Sequence, residues 1–145
     1  MKIGISACLT GYRYRYDGTD KRNDELIRLL SDHELIPVCP EHLAGLFIPH
    51  LPIELKDGKA FMSDGSDVTG RLKEGSDKGL ELIRDCDFLI LKSKSPSCGY
   101  KKIYDGSFKG KLIDSDGMFV QMCLENNMKI FTEEDLDKIR EYILR

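Results

Sequence analysis

Four short apolar runs limit what this chain can fold into: KIGIS (2–6), ELIPVC (34–39), DFLIL (87–91) and KIF (129–131). Each has strand length, and between them lie segments with a helical repeat. NDELIRLLSDH (23–33) puts Leu26, Leu29 and Leu30 on one face behind an acidic first turn. Residues 69–85 carry Leu72, Leu80 and Ile83 among their apolar positions, and DGMFVQMCLENN reads as a helix ending at Asn127. EEDLDKIREYIL supplies the last helix, with Thr132 and Asp135 in capping-box positions. Parallel strands need long crossovers, so this alternation implies a mostly parallel four-stranded sheet with helices on both faces. The expected fold is a three-layer Rossmann- or flavodoxin-like α/β domain over residues 1–145, with strand order left open. LPIEL and KAFMS flank Asp57-Gly58, a type I′ turn signal, so a small hairpin insertion is expected ahead of the long helix.

Charge and hydropathy remove whole classes of function. The 145 residues carry 22 Lys and Arg against 25 Asp and Glu, a net charge of −3. That balance lacks the basic face of a nucleic-acid coat, and independent tRNA binding is not expected. No stretch approaches the ~18 apolar residues of a membrane span. MKIGISACLTG has too short an apolar run for a signal peptide. The expectation is a cytoplasmic chain without a membrane partner.

Five cysteines, Cys8, Cys39, Cys86, Cys98 and Cys123, are an odd number with no C-x-x-C pair. This argues against a disulfide framework and against zinc-ribbon or redox motifs. On the α/β plan Cys8 lies just past the first strand, Cys39 ends the second and Cys98 follows the third. Open α/β sheets bind ligands outside the carboxyl ends of their strands, so these three thiols can converge. Cys86 precedes its strand at the opposite edge, and Cys123 lies inside a helix beside Met122 and Leu124, where a buried free cysteine is ordinary. The convergent three are compatible with unrelated thiols, or with a Cys₃His zinc site completed by His42 in a structural or sensor module. They are also compatible with an iron–sulfur cluster, on which three thiolates leave one iron open as a Lewis acid. A cysteine-phosphatase loop is set aside, because Tyr14 stands where that chemistry needs an arginine.

The polar segments near these thiols each allow a functional and a plainer reading. Glu41 can act as a general base or place a carboxylate in a first helical turn. In SKSPSCG (93–99), Ser95 and Ser97 can meet a substrate or make the turn. YRYRYDG (12–18) interleaves aromatic and basic residues, a pattern for stacking a pyrimidine, for meeting a phosphate or for a solvated loop. Lys92, Lys94, Lys101 and Lys102 around Cys98 can hold a phosphate or keep the loop soluble, and Asp105-Gly106 reads as a turn.

ISACLTG with RYDG, then IPVCPE, DVT, LILKSKSPSCG, IYDGSFKGK and GMF, together resemble the family long called uncharacterised domain 523, whose characterised members are thiouracil desulfidases. The resemblance runs from Lys2 to about Leu136. It implies a [4Fe–4S] cluster held by Cys8, Cys39 and Cys98, and non-redox desulfuration of a thiolated uracil to uracil and sulfide. The substrate's sulfur would bind the iron that no cysteine holds. The resemblance also implies a catalytic carboxylate at Glu41 and a catalytic serine in SPSC, Ser95 rather than Ser97. The implied partner is a small thiopyrimidine or its nucleotide. Two positions depart from the family pattern. Tyr14 stands where many relatives carry a further cysteine, and His50 where arginine is common.

Overall fold

The structure, a computed structural model, describes residues 1–144. Along the chain it forms β1 (Lys2–Ser6), a 3-10 turn (Ala7–Thr10), α1 (Asp24–Leu29), β2 (Glu34–Val38), α2 (Pro40–Leu43), β3 (Ile53–Lys56) and β4 (Lys59–Met62). There follow α3 (Thr69–Ile83), β5 (Phe88–Leu91), β6 (Lys102–Tyr104), β7 (Leu112–Asp114), α4 (Met118–Glu125), β8 (Ile130–Thr132) and α5 (Leu136–Ile143). The main sheet is parallel throughout, in the order β2-β1-β5-β8. The chain therefore steps outward from β1 to β2 and then crosses back to the other side of β1, which puts the reversal in strand order between β1 and β5.

Side chains alternate across the sheet with the two-residue period of a strand. Ile3, Ile5, Phe88, Ile90 and Phe131 face Leu26 of α1 and Ile139 of α5. Val38, Leu89, Leu91 and Ile130 face Leu80 and Ile83 of α3 and Phe119, Val120 and Cys123 of α4. Helices thus cover both faces, as the alternation of elements predicts. Central β5 is fully buried at all four positions, Phe88 to Leu91. Each such side chain contributes about 1.5–3 kcal/mol of burial. No helix among the described residues is long and apolar enough to cross a membrane.

A third apolar cluster joins the peripheral hairpins to the start of α3, through Ile53, Leu55, Ala60, Leu72 and Ile103. The β3–β4 hairpin turns at Asp57 and Gly58 with φ of 51° and 77°, both positive as a type I′ turn requires. The β6–β7 hairpin stands where the sequence reads only as a Gly- and Lys-rich loop. Its strands are three residues long, Ile103 is buried, and Leu112 and Ile113 are exposed, so no alternating pattern marks it. The last helix starts at Leu136 rather than Glu133. One half of the expected capping box forms, and the Thr132 hydroxyl bonds one residue short of Asp135. Thr132 N–H donates to Asp135 at 2.9 Å, and Thr132 Oγ1 accepts from Glu134 N–H at 3.2 Å. Glu133 is turned away from the helix toward the site described below.

Candidate active site

The carboxyl edge of the sheet opens into a cavity of about 700 Å³. Cys8, Cys39 and Cys98 all line it, with Glu41 and Ser95. Cys8 sits in the 3-10 turn that ends β1, and its carbonyl accepts the Lys21 N–H at 2.9 Å. Cys39 is the N-cap of α2, its carbonyl accepting Leu43 N–H at 3.0 Å, with Pro40 at the first helical position, where a missing N–H costs nothing. Glu41 therefore does stand in a first helical turn, and the same turn brings it to the cavity. α2 lies tight against α3. A Cβ on Gly75 would collide with the Pro40 carbonyl oxygen and reach 2.7 Å from Ala44 Cβ, so only glycine allows this approach.

The loop after β5 is the most heavily bonded part of the site. Ser95 Oγ accepts N–H groups from Ser97 at 3.2 Å and Cys98 at 3.0 Å, and lies 3.1 Å from Ser97 Oγ. Ser95 thus makes the turn that presents Cys98 and still carries one O–H at the cavity. Ser97 is buried, with its hydroxyl 3.8 Å from the Cys98 thiol. The first N–H groups of a helix lack partners within it. Those of α4 close on this loop, Met118 donating to the Pro96 carbonyl at 2.9 Å and Phe119 to Ser97 at 3.0 Å.

Electrostatics sets the state of these groups. Burial pushes the Cys8 thiol up to about 11 and the Cys98 thiol up to about 12, with Arg15 and Lys92 pulling Cys8 back down. Cys39 is raised further, by burial and then by the charge of Glu41, Cys98 and Cys8. Charge on Cys8 raises both Cys39 and Cys98, and charge on Cys98 raises Cys39, so the three thiols lie within reach of one another's charge and favour the protonated form. A cationic centre reverses that balance, since metal ligands must be thiolates. Burial likewise lifts the Glu41 carboxyl to about 7, opposed by Arg15. A carboxyl there can exchange a proton near neutrality.

Among the described residues, no three His, Cys, Asp or Glu groups are gathered closely enough to hold a single metal ion. His42 does not complete a zinc set. Its ring stacks on Tyr14 at 3.9 Å and 8°, and it is not among the cavity-lining residues. Three thiols spread around one cavity fit a larger body that takes a ligand at each of several corners, which is how cysteines hold an iron–sulfur cluster.

The interleaved segment divides. Tyr14, Arg15 and Tyr16 line the cavity, while Tyr12 and Arg13 are exposed. Arg15 Nε is buried with no protein partner. His50 does not line the cavity. It braces the segment instead, its N–H donating to the Tyr16 carbonyl at 2.8 Å. Of the four lysines, Lys92 and Lys94 line the cavity, whereas Lys102 pairs with Asp114 across the β6–β7 hairpin. Cys86 and Cys123 lie in the apolar core beneath α3 and α4.

Glu133 had no signal in the sequence. It accepts Ser93 N–H at 2.6 Å and Ser93 O–H at 3.0 Å, and its carboxylate lies 3.5 Å from Lys92 Nζ, tying the end of β8 to the loop after β5. Ser6 Oγ ties the same loop to β1 by accepting Lys92 N–H at 2.8 Å.

Comparison with known proteins agrees with this geometry. The sequence model of the family described as 2-thiouracil desulfurase matches residues 3–135. An uncharacterised protein of Bacillus subtilis (strain 168), YbbK, is 31% identical over 149 residues, covering 94% of this chain and 99% of that protein. A solved structure of the [4Fe–4S]-dependent thiouracil desulfidase TudS has a TM-score of 0.90 at 32% identity, covering 98% of this chain and 97% of that one. With three strand-end cysteines, a desolvated glutamate and this likeness over nearly the whole chain, the protein belongs to the 2-thiouracil desulfurase family of enzymes.

Proposed function

We propose that the protein removes sulfur from a thiolated uracil, as the free base or its nucleotide, at a [4Fe–4S] cluster held by Cys8, Cys39 and Cys98. The observation that carries this reading is the make-up of one cavity: three thiols from three strand-end loops, with Glu41 beside one and the serine turn beside another. When bound, the cluster supplies a soft Lewis acid, with one iron lacking a protein ligand, suited to the sulfur of a C=S group.

The chain's own residues do the rest. Glu41 takes a proton from water while the water oxygen bonds to the carbon that bears sulfur, general-base help worth about 10²–10⁴-fold. The C–S bond then breaks, its electron pair going to sulfur, which departs as sulfide while the oxygen stays on the ring. Water and thiouracil give uracil and hydrogen sulfide, with no net electron transfer. Ser95 can turn its one O–H from Ser97 toward a ring nitrogen or carbonyl. Arg15 and Lys92 place positive charge on the cavity wall, the complement of an oxygen gaining negative charge.

Anaerobic reconstitution with iron and sulfide tests the reading. The expected result is about four of each per chain, with release of sulfide and uracil from 2-thiouracil or its nucleotide. Protein that retains zinc and takes up no cluster would overturn it. So would a loaded protein that releases no sulfide from either compound.

A further inference from the structure

The turn between β6 and β7 takes no part in the chemistry above, yet it forms one wall of the cavity. Tyr104, Phe108 and Gly110 line that wall, together with Glu54 of β3. Glu54 Oε1 accepts two N–H groups of the turn, from Gly106 at 3.0 Å and from Phe108 at 3.1 Å. The packing beneath is tight. A Cβ on Gly106 would lie 2.6 Å from Lys56 Cβ and 2.8 Å from the Leu55 carbonyl oxygen, and its φ is +92°.

Phe108 itself has a φ of 58°. The left-handed region is a true outlier for a bulky side chain. Such conformations persist where neighbouring structure over-determines them, and they cluster at ligand sites. One carboxylate holding two N–H groups of the turn is that over-determination. Of the other aromatic residues of the cavity, Tyr14 stacks on His42 and Tyr16 lies 6.3 Å from the His50 ring, while Tyr104 belongs to β6 itself and not to the turn that Glu54 holds. Phe108 is half-buried and pairs with no other aromatic ring among the described residues.

We propose that Phe108 is the residue on which a planar heterocycle stacks, that Glu54 is its positioning residue, and that the β6–β7 turn thereby selects a ring-borne C=S group over an acyclic one. This rests on the desulfidase reading and adds to it the source of the ring preference.

The test uses the anaerobic, cluster-loaded protein and reads uracil binding by calorimetry, iron content, and KM and kcat separately. Phe108→Leu is expected to weaken uracil binding by about 10-fold, within the range for losing an aromatic–base stack. KM for thiouracil rises by a similar factor, kcat changes less, and the relative rate on thioacetamide improves. Phe108→Tyr restores binding. Glu54→Ala behaves like Phe108→Leu at unchanged iron content, and Glu54→Gln, which keeps an acceptor oxygen, recovers most of the loss. Wild-type affinity in Phe108→Leu would overturn the stacking role while leaving the desulfidase reading intact. Glu54→Ala losing binding only in step with iron would overturn the positioning role. Wild-type protein that neither binds uracil nor releases sulfide would overturn the desulfidase reading, and the stacking role with it.

Discussion

At the carboxyl edge of the sheet, Cys8, Cys39 and Cys98 stand around a cavity of about 700 Å³. At the amino edge, Cys86 lies beside a recess of about 300 Å³ whose lining includes Arg84, Asp87 and Lys129. The residue types are similar, and the two edges differ in how the chain arrives at them. Long segments leave β1 and β5 at the carboxyl edge and diverge around the reversal in strand order, so thiols, a carboxylate and hydroxyls from distant parts of the sequence meet. α3 reaches β5 at the amino edge through only residues 84–87. That connection spends its polar groups on the sheet, Asp87 N–H donating to the Lys2 carbonyl at 2.7 Å and the Asp87 carboxylate accepting Lys2 N–H at 2.7 Å. Ion pairs show the same contrast: Lys92–Glu133 is mostly buried and embedded in hydrogen bonds, while Lys2–Asp85 is exposed.

The two edges are separated most directly by removing one thiol from each. Cys98→Ser is expected to cut iron per chain several-fold after reconstitution, with far-UV circular dichroism unchanged, because the apolar core does not need the cluster. Cys86→Ser is expected to keep both iron and sulfide release. Equal iron in the two variants would mean that the edges do not differ in this way. Loss of fold in Cys98→Ser would show the thiol to be structural.

Where Cys98→Ser removes the cluster and all sulfide release with it, Glu41→Gln is expected to keep its iron and lower the rate of sulfide release by about 10²–10⁴-fold, the usual worth of a general base. Unchanged turnover would remove Glu41 from the chemistry and leave it as a helix-start residue.

The smallest effects come from the ion pairs. Glu133→Ala leaves the Ser93 N–H without its acceptor and the Lys92 ammonium without its counter-charge, at a cost of about 1–3 kcal/mol in denaturant unfolding. Asp85→Asn is expected to shift the unfolding midpoint far less, since exposed pairs are screened by water and salt. Its pH dependence has a definite sign. The hydrogen bond and charge of Lys2 hold the Asp85 carboxyl below its ordinary value, so the contribution is present above that value and lost as pH falls through the folded-state value. Wild type and Asp85→Asn should therefore converge in acid. A larger loss from Asp85→Asn than from Glu133→Ala would invert the contrast.

The parts of this molecule legible in its sequence are those with short-range causes. KIGIS is β1 residue for residue, and FLIL of DFLIL is β5, because a continuous apolar run between polar flanks has few alternatives to a buried strand. Asp57-Gly58 announces its turn because few residue pairs accept two positive φ values. The three cysteine positions are visible for the same reason, once strand ends can be located. β6 and β7 escape notice because one buried residue, Ile103, cannot display a period. Glu133 and Glu54 look like ordinary surface charges, since their partners lie 40 and 52 or more residues away.

The chain's pattern of apolar runs by itself determined a parallel α/β layering, and with it the edge at which Cys8, Cys39 and Cys98 had to emerge. Both follow from local periodicity and from the crossovers that parallel strands require. Only the tertiary structure decided which polar groups surround those thiols. It brought Arg15 to the wall, stacked His42 on Tyr14 and away from the thiols, and set Glu133 and Glu54 to hold two loops in place. Contacts of this kind depend on where separate segments come to rest in space, and no spacing along the chain encodes that.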